Sequence, residues 1–239
     1  SIVLGLSEKI KDCVKEKTID SFSSNFERID PKKHNKNLEP YIARRSSGGG
    51  TVYHDLNSNI NYSVFISLEK KSELYPIQHS YEIILSLVAN TFKQQEIEVF
   101  WEGKSDLAIL SDGIKKKISG NAQFRKKNCL VHHGTILFNT DIIEKINRFL
   151  PHPKEEPGYR EKRHHDKFIS SLPETFSIEK FKTDFFLLFT EFMGNKIKDY
   201  DDRNSFKLEK KFRDPVFKDS KRLFKEKYFV KDFIFGEAT

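Results

Sequence analysis

Ser46-Ser47-Gly48-Gly49-Gly50 is the densest cluster of small residues in the chain, set between Arg44-Arg45 and Thr51-Val52-Tyr53-His54-Asp55. Three consecutive glycines let the backbone approach a ligand closely and let its N–H groups converge on an anion. A bare hairpin turn would carry the same letters, so the cluster alone is a weak signal. It is neither a Gly-Lys-Ser/Thr phosphate loop nor a G-x-G-x-x-G fingerprint. Two further blocks follow, Lys117-Ile118-Ser119-Gly120-Asn121-Ala122-Gln123 and His132-His133-Gly134-Thr135-Ile136-Leu137, and Gly103-Lys104-Ser105-Asp106 precedes them. Adjacent His132 and His133 make a poor chelating pair, because neighbours on a strand point to opposite faces. Cys13 and Cys129 are too few for a disulfide framework and read as inert thiols in a reducing cytoplasm.

The elements that must hold these blocks alternate irregularly between strand and helix patterns. Ser1 to Gly5 reads as a short buried strand, followed by an irregular charged stretch through Pro40. Tyr41-Ile42-Ala43 and Thr51-Val52-Tyr53 read as two strands joined by the glycine turn. Ile60, Tyr62, Val64, Ile66 and Leu68 alternate at period two, the pattern of a half-buried strand. Tyr81, Ile84, Leu85, Val88 and Phe92 recur at helical spacing, and Ile97, Val99 and Trp101 alternate after them. Short strands are predicted over 114–118 and 130–138, separated by a polar turn region from Gln123 to Asn128. Asp141 with Glu144 fits a capping box for a helix burying Ile142, Ile143, Ile146 and Leu150, stopped by Pro151. Residues 151–167 read as loop, with His164 and His165 facing solvent. Ser177 caps a helix whose Phe181, Phe185, Phe189 and Phe192 share a core face, and Gly194 ends it. A charged helix lies around Ser220 to Tyr228. The fold class expected is α+β, a mixed β-sheet flanked by helices.

A chain of 239 residues with 37% hydrophobic residues and 22 phenylalanines can bury one large core. We expect one domain over 1–239. No apolar run approaches the roughly 20 residues that span a bilayer, and Ser1-Ile-Val-Leu-Gly5 is no signal peptide, so a soluble, cytoplasmic protein is expected, with no membrane partner. The net charge is +7. Between Lys196 and Asp232 there are 13 Lys or Arg against 8 Asp or Glu, a solvated face or a docking surface for an acidic protein. Without aromatic and basic residues interleaved as a base-stacking platform, nucleic acid is not an expected partner.

Taken in order, the blocks resemble the lipoate-protein ligase family, whose signatures R-R-x-S-G-G-G-x-V-x-H-D, K-x-S-G-x-A and H-H-G-T-L-L they match. Gly103 to Asp106 is similar to the family's G-R-N-D element, and the resemblance runs loosely from Ile2 to about Phe235. It implies a fold related to biotin ligases and class II aminoacyl-tRNA synthetases. The implied chemistry uses ATP, Mg2+ and lipoate, or octanoate, to make an acyl-adenylate, and then transfers the acyl group to a lysine. Implied partners are the lipoyl-carrier domains of 2-oxoacid dehydrogenase complexes or the glycine cleavage H protein. The resemblance makes Lys117 the catalytic residue, touching acyl carbonyl and phosphate. The residues it implies for binding substrate or adenylate are Arg45, Ser47, Gly48, Gly49, Gly50, His54, Asp106, Ser119, Gly120, Ala122, His133, Gly134 and Thr135. Asp106 is also the implied magnesium ligand, with a structural role at a strand end as the alternative, and Arg160, Arg163 and Asp166 occupy the region of an adenylate lid.

Three departures from the pattern carry expectations of their own. Asn57-Ser58-Asn59 replaces the usual Gly-Asn after His-Asp-Leu. The chain begins, without Met, where the family has already supplied a helix and a strand. Lys227-Tyr228 resembles the end of the large domain, so no C-terminal accessory domain is expected within it and a separate accessory protein is a possible partner. The competing readings are an octanoyl or lipoyl transferase that uses a cysteine and no ATP, and a binding module for lipoyl-adenylate or the carrier that has lost turnover.

Overall fold

The computed structural model describes residues 1–26, 40–194 and 210–236. It is α+β, with its strands in two sheets. The larger sheet is antiparallel throughout, with order β4 (Asn59–Ser67), β8 (Cys129–Leu137), β7 (Ile114–Lys126), β6 (Asp106–Ser111) and β5 (Phe100–Glu102). The smaller sheet is the mixed one. There β1 (Ile2–Leu4) lies between β2 (Ile42–Arg44), which runs parallel to it, and the antiparallel β3 (Val52–Tyr53).

On β4 the period-two pattern buries Tyr62, Val64 and Ile66 while Ser63 and Phe65 face out. Helix α3 (Ile77–Lys93) lays Ile84, Leu85, Val88 and Phe92 against that face. Helix α6 (Ile178–Phe192) packs on α3, and the rings of Phe92 and Phe181 stack with centroids 5.5 Å apart. The Ser177 hydroxyl accepts from the Lys180 N–H, and Gly194 takes φ +74°, the left-handed end expected for glycine. A second apolar cluster gathers β1 and β2 with α1 (Ile10–Cys13), α2 (Glu16–Asn25), α4 (Asp141–Phe149) and α8 (Lys231–Phe235).

Several sequence expectations are corrected. The strands around the glycine turn do not pair as a hairpin, because β1 inserts between them, with Ile2 opposite Ile42 on one side and Tyr53 on the other. The stretch after Gly5 is helical at α1 and α2, with Ile10 and Phe22 as buried anchors; residues 27–39 lie outside the description. The strand at 114–118 continues to Lys126, so only Lys127-Asn128 turn into β8. A strand at Asp106–Ser111 was not expected, and that expected from Ile97 begins only at Phe100. Thr140, not Asp141, is the N-cap of α4, and no side-chain cap bond forms there. Within the 151–167 loop, the side chain of Arg160 is buried and α5 (His165–Phe168) forms a short helix. His165 is half-buried, its Nε2 3.1 Å from the Pro151 carbonyl oxygen, and burial holds its pKa below the ordinary value. The C-terminal helix α7 begins at Lys210 and runs to Leu223; the charges from Lys196 to Glu209 lie outside the described residues. No described helix is long and apolar enough to cross a membrane.

Candidate active site

The face of the large sheet turned away from α3 and α6 carries the polar residues of the motifs, and a single irregularity arranges them. Leu107 pairs with Ser119 but Ala108 pairs with Lys117, so β7 holds one extra residue at that point. Positions 117 and 120 would otherwise lie on opposite faces of a strand; the bulge puts them on one. The Lys117 amine therefore lies over Gly120, 3.0 Å from where a Cβ would sit, and bonds the Asp106 Oδ1 at 2.8 Å. A side chain at 120 would displace that lysine. The second carboxylate oxygen of Asp106 accepts from the Tyr159 hydroxyl at 3.0 Å, and Asp106 is buried. Lys116 points elsewhere, to Asp112, and Lys115 pairs with Glu102.

The glycine loop lies over the neighbouring part of this face. Gly49 has φ +84°, and a Cβ there would meet Ala122 Cβ and Arg45 Nη2, each at 3.0 Å. Left-handed backbone and close approach together call for glycine. A Cβ on Gly48 or Gly50 would meet nothing within 4 Å, so open space adjoins both. Arg45 folds back beneath the loop, donating from Nη2 to the carbonyls of Gly48 (2.7 Å) and Gly50 (2.8 Å) and from Nη1 to that of Val3 (3.1 Å). Ser47 bonds His133 Nε2 at 2.6 Å, and His54 Nε2 lies 3.1 Å from Thr135 Oγ1. Burial pushes the pKa of His54 down to about 4, aided by Arg45. Burial, then Arg45, also lowers that of His133. Burial favours the neutral form of both imidazoles, and the cations of this face are Arg45 and Lys117, the latter paired with Asp106. That is an environment for bringing anionic groups together, with neutral hydrogen-bonding groups at its side.

Two predicted site residues lie on the other face. Ser119 is buried there and accepts from Asn121 Nδ2 at 3.2 Å, while a Cβ on Gly134 would come within 2.6 Å of the Tyr62 ring. Gly134 is thus required by packing. His132, one residue before His133, is buried between Tyr62 and Tyr81 as strand alternation requires. No group of three or more His, Cys, Asp or Glu able to hold a metal ion occurs among the described residues.

Residues 24–190 match the family model described as the lipoyl protein ligase A/B catalytic domain. The chain belongs to that family. It is 36% identical over 120 residues to lipoate-protein ligase A of Bdellovibrio bacteriovorus, covering 50% of this chain and 33% of that protein. It is 36% identical over 106 residues to lipoate-protein ligase LplJ of Bacillus subtilis, covering 44% of this chain and 29% of the relative. The matches therefore span about a third of the length of these curated relatives. Among solved structures, the bipartite lipoate protein ligase of Thermoplasma acidophilum, described with its E2 lipoyl domain, superposes with a TM-score of 0.70 at 21% identity, covering 100% of this chain and 81% of the other. A lipoate-protein ligase A bound with ATP gives 0.64 at 21% identity, covering 99% and 82%. These likenesses establish the lipoate-ligase fold.

Two residues that hold Asp106 or its neighbour in place escaped the sequence reading. Tyr159 comes from the long loop and touches Asp106, but it sits outside every motif. Asn121 occupies the variable place in the lysine block; its N–H (3.0 Å) and its Nδ2 (2.8 Å) both donate to the Ser105 carbonyl, fixing the residue before Asp106. The signal was a lone amide inside a strand.

Proposed function

We propose that the chain is a single catalytic domain that activates lipoate, or octanoate, with ATP and transfers the acyl group to a lysine of a lipoyl-carrier domain. A carboxylate oxygen attacks the α-phosphorus of ATP, the bond to the β-phosphate oxygen breaks, and pyrophosphate leaves. The carrier amine then attacks the acyl carbonyl; the carbonyl C–O bond of the mixed anhydride breaks, AMP leaves, an amide forms and a proton is released. Both first-step reactants are anionic, so a preorganised positive site lowers the barrier. The observation that carries this reading is Lys117 held over Gly120 by Asp106, beside a glycine loop that Arg45 supports from below. We assign Lys117 to the acyl carbonyl and phosphate, and the glycine loop to the acyl and phosphate region.

Magnesium bound by one carboxylate and the nucleotide's own phosphates is an ordinary arrangement. Asp106 has the right chemistry, since each of its oxygens keeps a lone pair beyond the one engaged by Tyr159 or Lys117. When bound, the ion would neutralise phosphate charge. Partners proposed are the lipoyl domains of 2-oxoacid dehydrogenase complexes or the glycine cleavage H protein. A separate accessory protein is also proposed, since the Thermoplasma relative is described as bipartite. The two free cysteines fit a cytoplasmic setting.

The cysteine-dependent transferase reading is weaker on chemical grounds. Burial and Glu8 push the Cys13 thiol up to about 12, leaving little thiolate at neutral pH. Cys129 pairs with Lys126 at the far end of β8, six residues from Thr135 and so about 20 Å along the strand. Incubation with labelled lipoate, with and without Mg-ATP and a carrier domain, tests the reading. Acylation that depends on ATP is expected; equal labelling without ATP, lost when either cysteine becomes Ser, would establish the transferase instead.

A further inference from the structure

The residues flanking Arg45 are both tied to described residues of the C-terminal segment, Arg44 to Phe233 and Ile234 and Ser46 to Tyr228. Arg44 is only 5% exposed. Its Nε donates to the carbonyls of Phe233 (2.9 Å) and Ile234 (3.1 Å), and its Nη1 to those of Gly5, Leu6 and Glu8 at 2.8, 3.1 and 2.7 Å. Among the described residues Nη2 is buried without a hydrogen-bond partner, and it sits 2.9 Å from where a Cβ on Gly236 would be. On the other side, Ser46 Oγ and the Tyr228 hydroxyl are 2.6 Å apart.

Apolar contacts already attach this segment. Ile234 is buried in the second cluster, Phe235 packs on Phe22 and Phe229 stacks on Phe26. Holding the segment in place therefore does not require a buried guanidinium, which is costly to desolvate. What Arg44 and Tyr228 add is direction. They fix the backbone on both sides of Arg45, whose own side chain grips the Gly48 and Gly50 carbonyls.

We propose that residues 228–236 form a buttress for the glycine loop, with Arg44 and Tyr228 as positioning residues that set the loop for the acid substrate. The effect on substrate rests on the function proposed above; the effect on loop order does not. Tyr228→Phe removes only the hydroxyl and leaves the ring packed edge-on to Phe233.

The test compares the wild type, Tyr228→Phe, Ser46→Ala and the double variant by amide exchange at residues 47–50 without substrate. It also measures KM and kcat for lipoate in adenylation, and the melting temperature. Loss of one hydrogen bond corresponds to roughly a three- to tenfold effect. Each single variant is expected to speed exchange and raise KM by about that factor, with kcat and melting temperature little changed and the double no worse than either single. Unchanged exchange and KM in Tyr228→Phe, or effects that simply add in the double variant, would overturn the buttress. Faster loop exchange in a protein whose wild type makes no adenylate would support the buttress and sink the ligase reading.

Discussion

His132 and His133 are neighbours in the chain and belong to two different chemistries. The first faces the helices, where burial drives its pKa down to about 3 and Gln123 Nε2 lies 3.2 Å from its Nδ1. The second faces the glycine loop and bonds Ser47. The same division runs through β7, with Ser119 and Asn121 on the core side and Lys117, Gly120 and Ala122 on the site side. A three-block motif that reads as one functional signature is thus partly a packing signature. Substitutions on the two faces should separate activity from stability.

The largest effect belongs to Lys117. Loss of a charge-assisted contact to a reacting phosphate should slow adenylation by roughly a hundredfold or more in Lys117→Ala, with the melting temperature little changed. Lys117→Arg should recover only part, since a planar guanidinium does not replace a compact charge between two oxygens. Lys115→Ala and Lys116→Ala should be mild. Normal adenylation by Lys117→Ala would break the division between faces.

On the core face, Gly134→Ala forces a methyl against Tyr62 and Asn121 and should destabilise by about 1–3 kcal/mol in urea unfolding. Activity per folded molecule should hold. A stable but inactive variant would move Gly134 to the catalytic side.

The pH dependence sharpens the contrast further. His132 and His54 have folded pKa values of about 3 and about 4, below the unfolded value near 6.5, so the unfolded chain binds more protons in between. Their stabilising contribution is complete above about pH 6.5 and is lost progressively as pH falls toward the folded values. His132→Gln should flatten the fall in melting temperature between about pH 6.5 and pH 4; an unchanged slope would remove His132 from this account. Smallest is Ser177→Ala, which deletes the cap of α6 and should cost about 1 kcal/mol without touching adenylation.

Elements with strong local periodicity were legible in the sequence. Alternation from Ile60 to Leu68 and the helical spacing of Tyr81 to Phe92 and Phe181 to Phe192 each describe a surface that must be buried, whatever lies opposite. The pairing of β1 between β2 and β3 was not legible, because it joins residues about 40 and about 50 positions apart and leaves no local mark. Helices α1 and α2 hid behind charge, with few apolar anchors. At the site, the residue types were readable but their side of the sheet was not. A strict count of two would place Lys117 opposite Gly120, and only the bulge between Ser119 and Lys117 brings them together. Tyr159 was invisible for a related reason, since it reaches Asp106 from 53 residues away through a loop without periodicity.

The most direct test of the central claim is lipoate-dependent exchange of labelled pyrophosphate into ATP by the wild-type protein. Exchange that requires both lipoate and magnesium is predicted, because the first step proposed is reversible adenylation on the Lys117 face. No exchange, together with carrier acylation that proceeds without ATP, would contradict it.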